Sequence, residues 1–394
     1  MGSLLFLAHR VPFPPDRGDK MRGWHILRHL ARTHRVHLCA FADDRRDLRP
    51  RPPLVEATAS RTILWRGKGR ARAAAEALAS GRPLSLAAFD SRAMRRGVAA
   101  VLAREAVDTI YVFSGQMAQY LPADTPARIV MDFVDMDSAK FAQYAAEGRR
   151  PMRWMLAREA RLLQAFEAQV AARVDASLFV SEAEATLFRT ATTAPRVQAV
   201  GNGIDTDFYD PAACSAVSEA GPLIVFTGQM DYRPNIDAVT WFAGAVLPTV
   251  RAQHPDARFA IVGRSPDEAV RVLATQPGVL VTGEVADVRG WLAAAEVVVA
   301  PLRIARGVQN KVLEAMAMAR PVVASTAAAE GIDHADCLTV AGDATEFADA
   351  VCAHLANPAE AVRLGQAARA QVQRRYGWDA QLLPLDALLA AEAA

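Results

Sequence analysis

The reading of this chain turns on Arg303-Ile304-Ala305-Arg306-Gly307-Val308-Gln309-Asn310-Lys311-Val312-Leu313-Glu314-Ala315-Met316-Ala317-Met318-Ala319-Arg320-Pro321-Val322-Val323-Ala324-Ser325. An apolar strand, Glu296–Pro301, feeds a short basic loop. The loop opens a helix over Val308–Ala319, which ends just before a second apolar strand, Pro321–Ala324. Gly307, Lys311 and Glu314 are spaced i, i+4, i+7 and share one helix face. A helix N-terminus beside a glycine and cations suits a phosphate group, because its first N–H groups lack intrahelical acceptors and the helix dipole is positive there. A carboxylate further along that face can accept hydrogen bonds from two sugar hydroxyls. Diphosphate followed by ribose is the layout of a nucleotide. The plainer alternative is an amphipathic helix with a surface Lys311–Glu314 pair.

Outward from this segment, strand-like apolar runs alternate with helical patterns almost end to end. The first half offers Leu4–Ala8, Val36–Phe41, Thr62–Trp65, Thr109–Phe113, Arg128–Asp132 and Ala176–Val180. The second offers Leu223–Thr227, Arg258–Val262, Val279–Thr282, Val297–Ala300 and Pro321–Ala324. Helical patterns fall over Met21–Thr33, Met152–Ala172, Asn235–Gln253 and Pro358–Arg375. Such alternation predicts α/β domains whose parallel sheets are covered on both faces, with ligands beyond the carboxyl ends of the strands. The Gly-, Asn-, Asp- and Pro-rich stretch Val200–Pro211 marks a boundary, dividing a first domain, 1–199, from a second, 200–377.

Several residues follow those strand ends. Gly18, Asp19 and Lys20 close a Pro-rich loop after the first strand, where Gly18 would let backbone N–H groups approach an anion. Asp132, Asp135 and Asp137 lie at and after another strand. Asp132 or Asp135 suits a base or orienter for a hydroxyl, whereas Asp137 reads as the cap of a helix over Ser138–Ala146. Arg233 and Arg264 are placed to reach phosphates, or to remain solvated loop cations. No Gly-x-Gly-x-x-Gly follows the first strand, which argues against a dinucleotide oxidoreductase.

Lys-Val-Leu-Glu-Ala-Met-Ala followed by Arg-Pro-Val-Val-Ala-Ser resembles the donor helix of GT-B glycosyltransferases, specifically glycosyltransferase family 4. Val200-Gly201-Asn202-Gly203-Ile204-Asp205 with Phe208, Phe226–Asn235 and Ile261-Val262-Gly263-Arg264 agree in order. Arg10–Lys20 and Asp132–Lys140 resemble a narrower group, the sugar transferases associated with PEP-CTERM/exosortase exopolysaccharide loci.

The resemblance implies two Rossmann-like domains facing across a cleft, with a last helix, 378–394, packed back on the first. It implies a retaining, metal-independent transfer from a UDP- or GDP-linked sugar to a glycan or lipid-linked acceptor, with no cofactor. Lys311, Arg233 and Asp135 would carry catalysis. Gly18, Gly228, Arg264, Glu284, Arg306, Gly307, Val308 and Glu314 would bind the donor, Glu284 near its base. Asp19, Lys20, Asp132 and Lys140 would meet the acceptor. One departure stands out: Arg306 occupies the place of the first of the family's paired glutamates, the one that contacts the transferred sugar. A sugar-nucleotide 2-epimerase of related fold and a weakly catalytic sugar-nucleotide-binding scaffold are the alternatives.

Composition bounds these readings. With 394 residues, 52% apolar and 22% charged, the chain suits two ordinary globular domains. It carries no signal-peptide pattern and no membrane-length apolar run, so a cytoplasmic location is expected. Cys39, Cys214, Cys337 and Cys352 lie far apart, without metal-ligand spacing, and no histidine array suggests a metal. Asp135-x-Asp137 matches the metal motif of the unrelated GT-A fold, as Asp205-x-Asp207 does by chance. Residues 1–198 hold 31 Lys and Arg against 20 Asp and Glu, a net of +11; residues 199–394 hold 14 against 23, a net of −9. No nucleic-acid-binding motif accompanies the first half's charge. An anionic membrane surface or lipid diphosphate fits it better, with Arg66–Arg72 and Arg149–Leu156 as basic contact segments.

Overall fold

The computed structural model describes residues 2–49, 51–147, 152–305 and 308–390. Arg306 and Gly307, proposed above for the donor, and Arg149, Arg150 and Pro151 of the second basic segment lie outside them. The chain forms two compact units, Met1–Asn202 with Gln381–Ala394, and Gly203–Ala380. The boundary expected at 199/200 thus falls at 202/203, and the second crossing, expected at 377/378, at 380/381.

The first unit is built on β1 (Gly2–Ala8), β2 (His34–Ala42), β3 (Ser60–Trp65), β4 (Thr109–Phe113), β5 (Arg128–Val134), β6 (Ala176–Phe179) and β7 (Val197–Ala199). They form one sheet in the order β3-β2-β1-β4-β5-β6-β7, with every pair parallel. The second unit holds β8 (Leu223–Thr227), β9 (Arg258–Val262), β10 (Val279–Gly283), β11 (Val297–Ala300), β12 (Val322–Ser325) and β13 (Thr339–Ala341), also parallel, in the order β10-β9-β8-β11-β12-β13.

The central strands are apolar on both faces because helices cover both: all five residues of β4 and of β8 are buried. β7 and β13 were not foreseen. Each is a three-residue edge strand, too short to display a period. In each sheet the chain winds outward over three strands, then crosses to the other side of the first. The winding therefore reverses between β1 and β4, and between β8 and β11. A reversal of this kind opens a crevice at the carboxyl ends of the strands.

One glycine of the boundary motif is there because the backbone has no room: a Cβ on Gly203 would stand 2.5 Å from Trp378 Cα, whereas one on Gly201 would meet only the end of the Gln381 side chain. The strand–helix connection in the first unit is shorter than expected. The helix begins at Gly18 rather than Met21 and runs to Leu30.

Candidate functional site

In the second unit a cavity of about 400 Å³ opens where β8, β9 and β10 end. Thr227, Gly228 and Gln229 follow β8; Val262, Gly263 and Arg264 follow β9; Glu284, Val285 and Val288 follow β10. The helix Asn310–Ala317 contributes Lys311 and Glu314, one turn apart. The structure therefore brings together Gly228, Arg264, Glu284, Lys311 and Glu314.

Lys311 is held from two sides. Its ammonium donates to Asn235 Oδ1 at 2.5 Å and stands 4.3 Å from the Phe226 ring centroid. Burial pulls that ammonium down to about 8, with the Glu314 carboxylate opposing the shift. Burial also raises the Glu314 carboxyl, against a hydrogen bond from the Tyr209 hydroxyl and the charge of Lys311. Gly228 leaves space for this cluster: a Cβ there would lie 2.8 Å from Asn235 Nδ2 and 3.2 Å from Lys311 Nζ. Gly263 has φ +154°, and its Cβ would fall 1.6 Å from the Gly228 carbonyl oxygen, so the ends of β8 and β9 touch through backbone alone. Arg264 Nη2 donates to Gln229 Oε1 at 3.0 Å and remains exposed at the cavity edge.

Two donor-side expectations are corrected. Arg233 opens the helix Arg233–Trp241 but is exposed and does not line the cavity. Two residues along an α-helix turn about 200°, so the side chain that reaches Lys311 is Asn235. Asn235 is fixed by its own bond from Nδ2 to the Gln229 carbonyl at 2.9 Å. Val308 precedes the helix N-cap, Gln309, is 44% exposed and does not line the cavity. Reading the sequence missed Asn235, Tyr209 and the apolar wall of Val285 and Val288. The one available signal was Asn235 in the first turn of a helix starting just after Gly228.

The first unit corrects more. Lys20, expected at an acceptor, is 3% exposed, and its Nζ pairs with both oxygens of Asp47 at 3.0 and 3.1 Å. Asp132 is fully buried. Its carboxylate accepts from Arg22 Nε (3.0 Å), Arg22 Nη2 (3.2 Å) and the Tyr111 hydroxyl (2.8 Å), leaving no oxygen for a substrate. Arg22 Nη1 also donates to the Val200 carbonyl at 2.8 Å and to Asn202 Oδ1 at 3.1 Å, so this pair anchors the boundary segment. Asp19 accepts from Arg10 and from His9 Nε2. Burial alone would raise its carboxyl, but the bonds from His9 and Arg10 outweigh burial and hold it well below the usual carboxylate range.

Gly18 is exposed, with no atom within 4 Å of a Cβ built there, so no close approach requires glycine. Asp137 is the first helical residue of Asp137–Glu147, and the Met136 carbonyl closes the first turn. Asp137 is therefore not the cap; it accepts from Gln116 Nε2 at 3.3 Å, and burial raises its carboxyl. Asp135 follows Val134, whose φ of +71° is strained for a β-branched residue. The Asp135 carboxylate is half-buried and accepts no hydrogen bond among the described residues; Lys140 is exposed on the next helix. Among the described residues, no group of three or more His, Cys, Asp or Glu is placed to hold a metal ion.

Residues 221–357 match the family model described as glycosyl transferases group 1. A phosphatidyl-myo-inositol mannosyltransferase of Propionibacterium freudenreichii subsp. shermanii is 31% identical over 163 residues; the match spans 40% of this chain and about 40% of the length of that curated relative. Among solved structures, Anabaena Alr3699/HepE in complex with UDP superposes with a TM-score of 0.60 at 15% identity, over 98% of this chain and 99% of that one. A glycosyltransferase from Rickettsia africae gives 0.63 at 13% identity, over 99% of each chain. The second unit carries a glycosyl transferases group 1 domain, and the chain has the GT-B glycosyltransferase fold.

Proposed function

We propose that this chain is a retaining glycosyltransferase that moves a sugar from a nucleoside-diphosphate donor to a glycan or lipid-linked acceptor, in exopolysaccharide or cell-envelope synthesis at the cytoplasmic face. The observation that carries the reading is the pairing of Lys311 and Glu314, one helical turn apart, in a cavity at the sheet's carboxyl edge. Lys311 and Arg264 take the diphosphate, Glu314 the ribose hydroxyls, and Val285 and Val288 the face of the base, with Glu284 beside it. This is an order of groups that a nucleoside diphosphate matches end to end. The solved structure of Anabaena Alr3699/HepE with UDP supports the choice of a uridine nucleotide as first probe.

The chemistry follows from charge. As the bond between the anomeric carbon and the diphosphate oxygen lengthens, negative charge grows on the leaving group and positive charge on the sugar ring. A desolvated ammonium fixed by Asn235 and Phe226 meets the first without reorganising, which is where an enzyme gains most. Asp135, with its carboxylate uncommitted, orients the acceptor hydroxyl in this reading. Because cations of the chain carry the diphosphate, transfer is expected to survive EDTA.

The test is calorimetric titration with UDP, GDP and their sugar conjugates, using the native chain and Glu314→Gln. Glu314→Gln should weaken nucleotide binding by roughly 1.5–3 kcal/mol, the worth of a charged hydrogen bond, without lowering the melting temperature. Unchanged affinity in a folded variant removes the ribose role. Sugar appearing as free epimer instead of glycoside would move the reading to an epimerase.

A further inference from the structure

Away from the donor cavity, the first unit has a groove of about 370 Å³ between the helices Arg70–Ser80, Leu84–Phe89 and Met152–Ala171. Ala77, Leu78, Leu84, Phe141, Trp154 and Met155 give it a carbon lining. Its few polar groups are mostly spent on the protein. Glu159 accepts from the Leu84 and Ser85 N–H groups at 2.7 and 2.9 Å and from Ser85 Oγ at 2.8 Å, and Arg158 donates to the Ala77 carbonyl at 3.0 Å. The rim is unusual for a surface in water: Trp154 is 64% exposed, Leu78 63%, Met152 55% and Met155 46%. Four large apolar side chains around one opening make a contiguous patch, not the scattered exposure ordinary surfaces show.

The surroundings are cationic. Arg66 lines the groove, with its Nε unpartnered, its Nη2 3.8 Å from Asp43 Oδ2 and its guanidinium 5.2 Å from the Phe89 ring centroid. Arg153 and Arg161 are exposed on the helix that carries Trp154. Residues 1–198 bear a net charge of +11. Exposed tryptophan beside arginine, over an apolar slot, fits the boundary where headgroup phosphates overlie hydrocarbon. No described helix is long and apolar enough to cross a membrane, so contact would be made from one side.

We infer that this groove takes one hydrocarbon chain of an anionic membrane lipid, with the surrounding arginines on the headgroup phosphates, and so docks the first unit on a bilayer. The inference does not rest on the donor reading, and each can fail without the other. It asks more than charge attraction: a chain must enter the slot. The whole chain is mixed with vesicles of phosphatidylcholine alone, and of phosphatidylcholine with phosphatidylglycerol, in which the acyl chains are plain or brominated. Binding to the anionic vesicles is expected, together with loss of tryptophan fluorescence on the brominated ones. Trp154→Phe should remove most of that quenching. Trp154→Ser with Met155→Ser, both at exposed positions and checked for fold by circular dichroism, should lower the bound fraction at least several-fold. Equal binding of native and double-variant chains overturns the inference, as does binding without quenching. So does a concentration-dependent dimer abolished by the same pair, which would name a second copy as the occupant.

Discussion

At the scale of single residues, the protein uses charge in two opposite ways. Lys311 is half-buried and left facing a cavity, and its ammonium is the form that binds diphosphate. Its value in the fold is lowered, so the useful proton is present below about 8 and is lost as pH rises through that point. UDP affinity of the free protein should therefore decline above about pH 8, and Lys311→Ala should be weaker and flat over the same window; calorimetry from pH 6.5 to 9.5 checks this. Asp132 is buried and fully spent on Arg22 and Tyr111. Asp132→Asn should cost about 3–5 kcal/mol of stability, since it strands a buried guanidinium, and should leave UDP affinity unchanged. Denaturant unfolding beside calorimetry separates the two effects. In sequence these residues look alike, as charged groups near strand ends. What distinguishes them is their partners. Asp47 lies 27 positions from Lys20 and Asp132 lies 110 from Arg22, distances at which no local pattern reports a contact. Lys311 and Glu314 were legible because both sit on one short helix, where spacing alone fixes their relation.

At the scale of elements, strand ends matter more than strands. β8 and β9 approach so closely that Gly263 meets the Gly228 carbonyl, while Gly228 faces only the side-chain ends of Asn235 and Lys311. The two glycines should thus answer differently to one methyl group. Gly263→Ala has backbone against it and a φ that L side chains rarely adopt; a stability loss of about 2–4 kcal/mol is expected. Gly228→Ala should keep the melting temperature nearly constant and weaken UDP about tenfold, or about 1.4 kcal/mol, by displacing Lys311. Thermal melts with and without UDP distinguish these outcomes. The long central strands were legible from their unbroken apolar runs. β7 and β13 were not, because three residues at an edge carry no period, and the phase of the Arg233–Trp241 helix was not, because its start depends on the turn through Gln229.

At the scale of the whole molecule, the alternation of apolar runs was enough to show two α/β units; the last helix that closes the first was expected only from the family resemblance, and Gln381–Ala394 do group with that unit. The helix Trp378–Ala390 supplies Leu382 and Leu385, both buried, to the first unit; Arg128 Nη1 donates to the carbonyls of Leu388 and Leu389 at 2.7 and 2.8 Å. A chain ending at Ala380 should lose amide protection in β1 and β4 while β8 keeps it, and the transition assigned to the first unit should fall by roughly 10 °C. Hydrogen exchange read strand by strand decides it; equal loss in both sheets would mean the units do not melt separately. The crossings at 202/203 and 380/381 make the second unit an insertion within the first. On the ribosome, residues 203–380 emerge as one uninterrupted stretch and can fold as they appear. The first seven strands are synthesised earlier, yet must wait through all of that stretch for the helix that covers them. Nascent chains would pass through a stage in which the later-made unit is finished and the earlier one still bares apolar surface, so holdase chaperones would engage its N-terminal half.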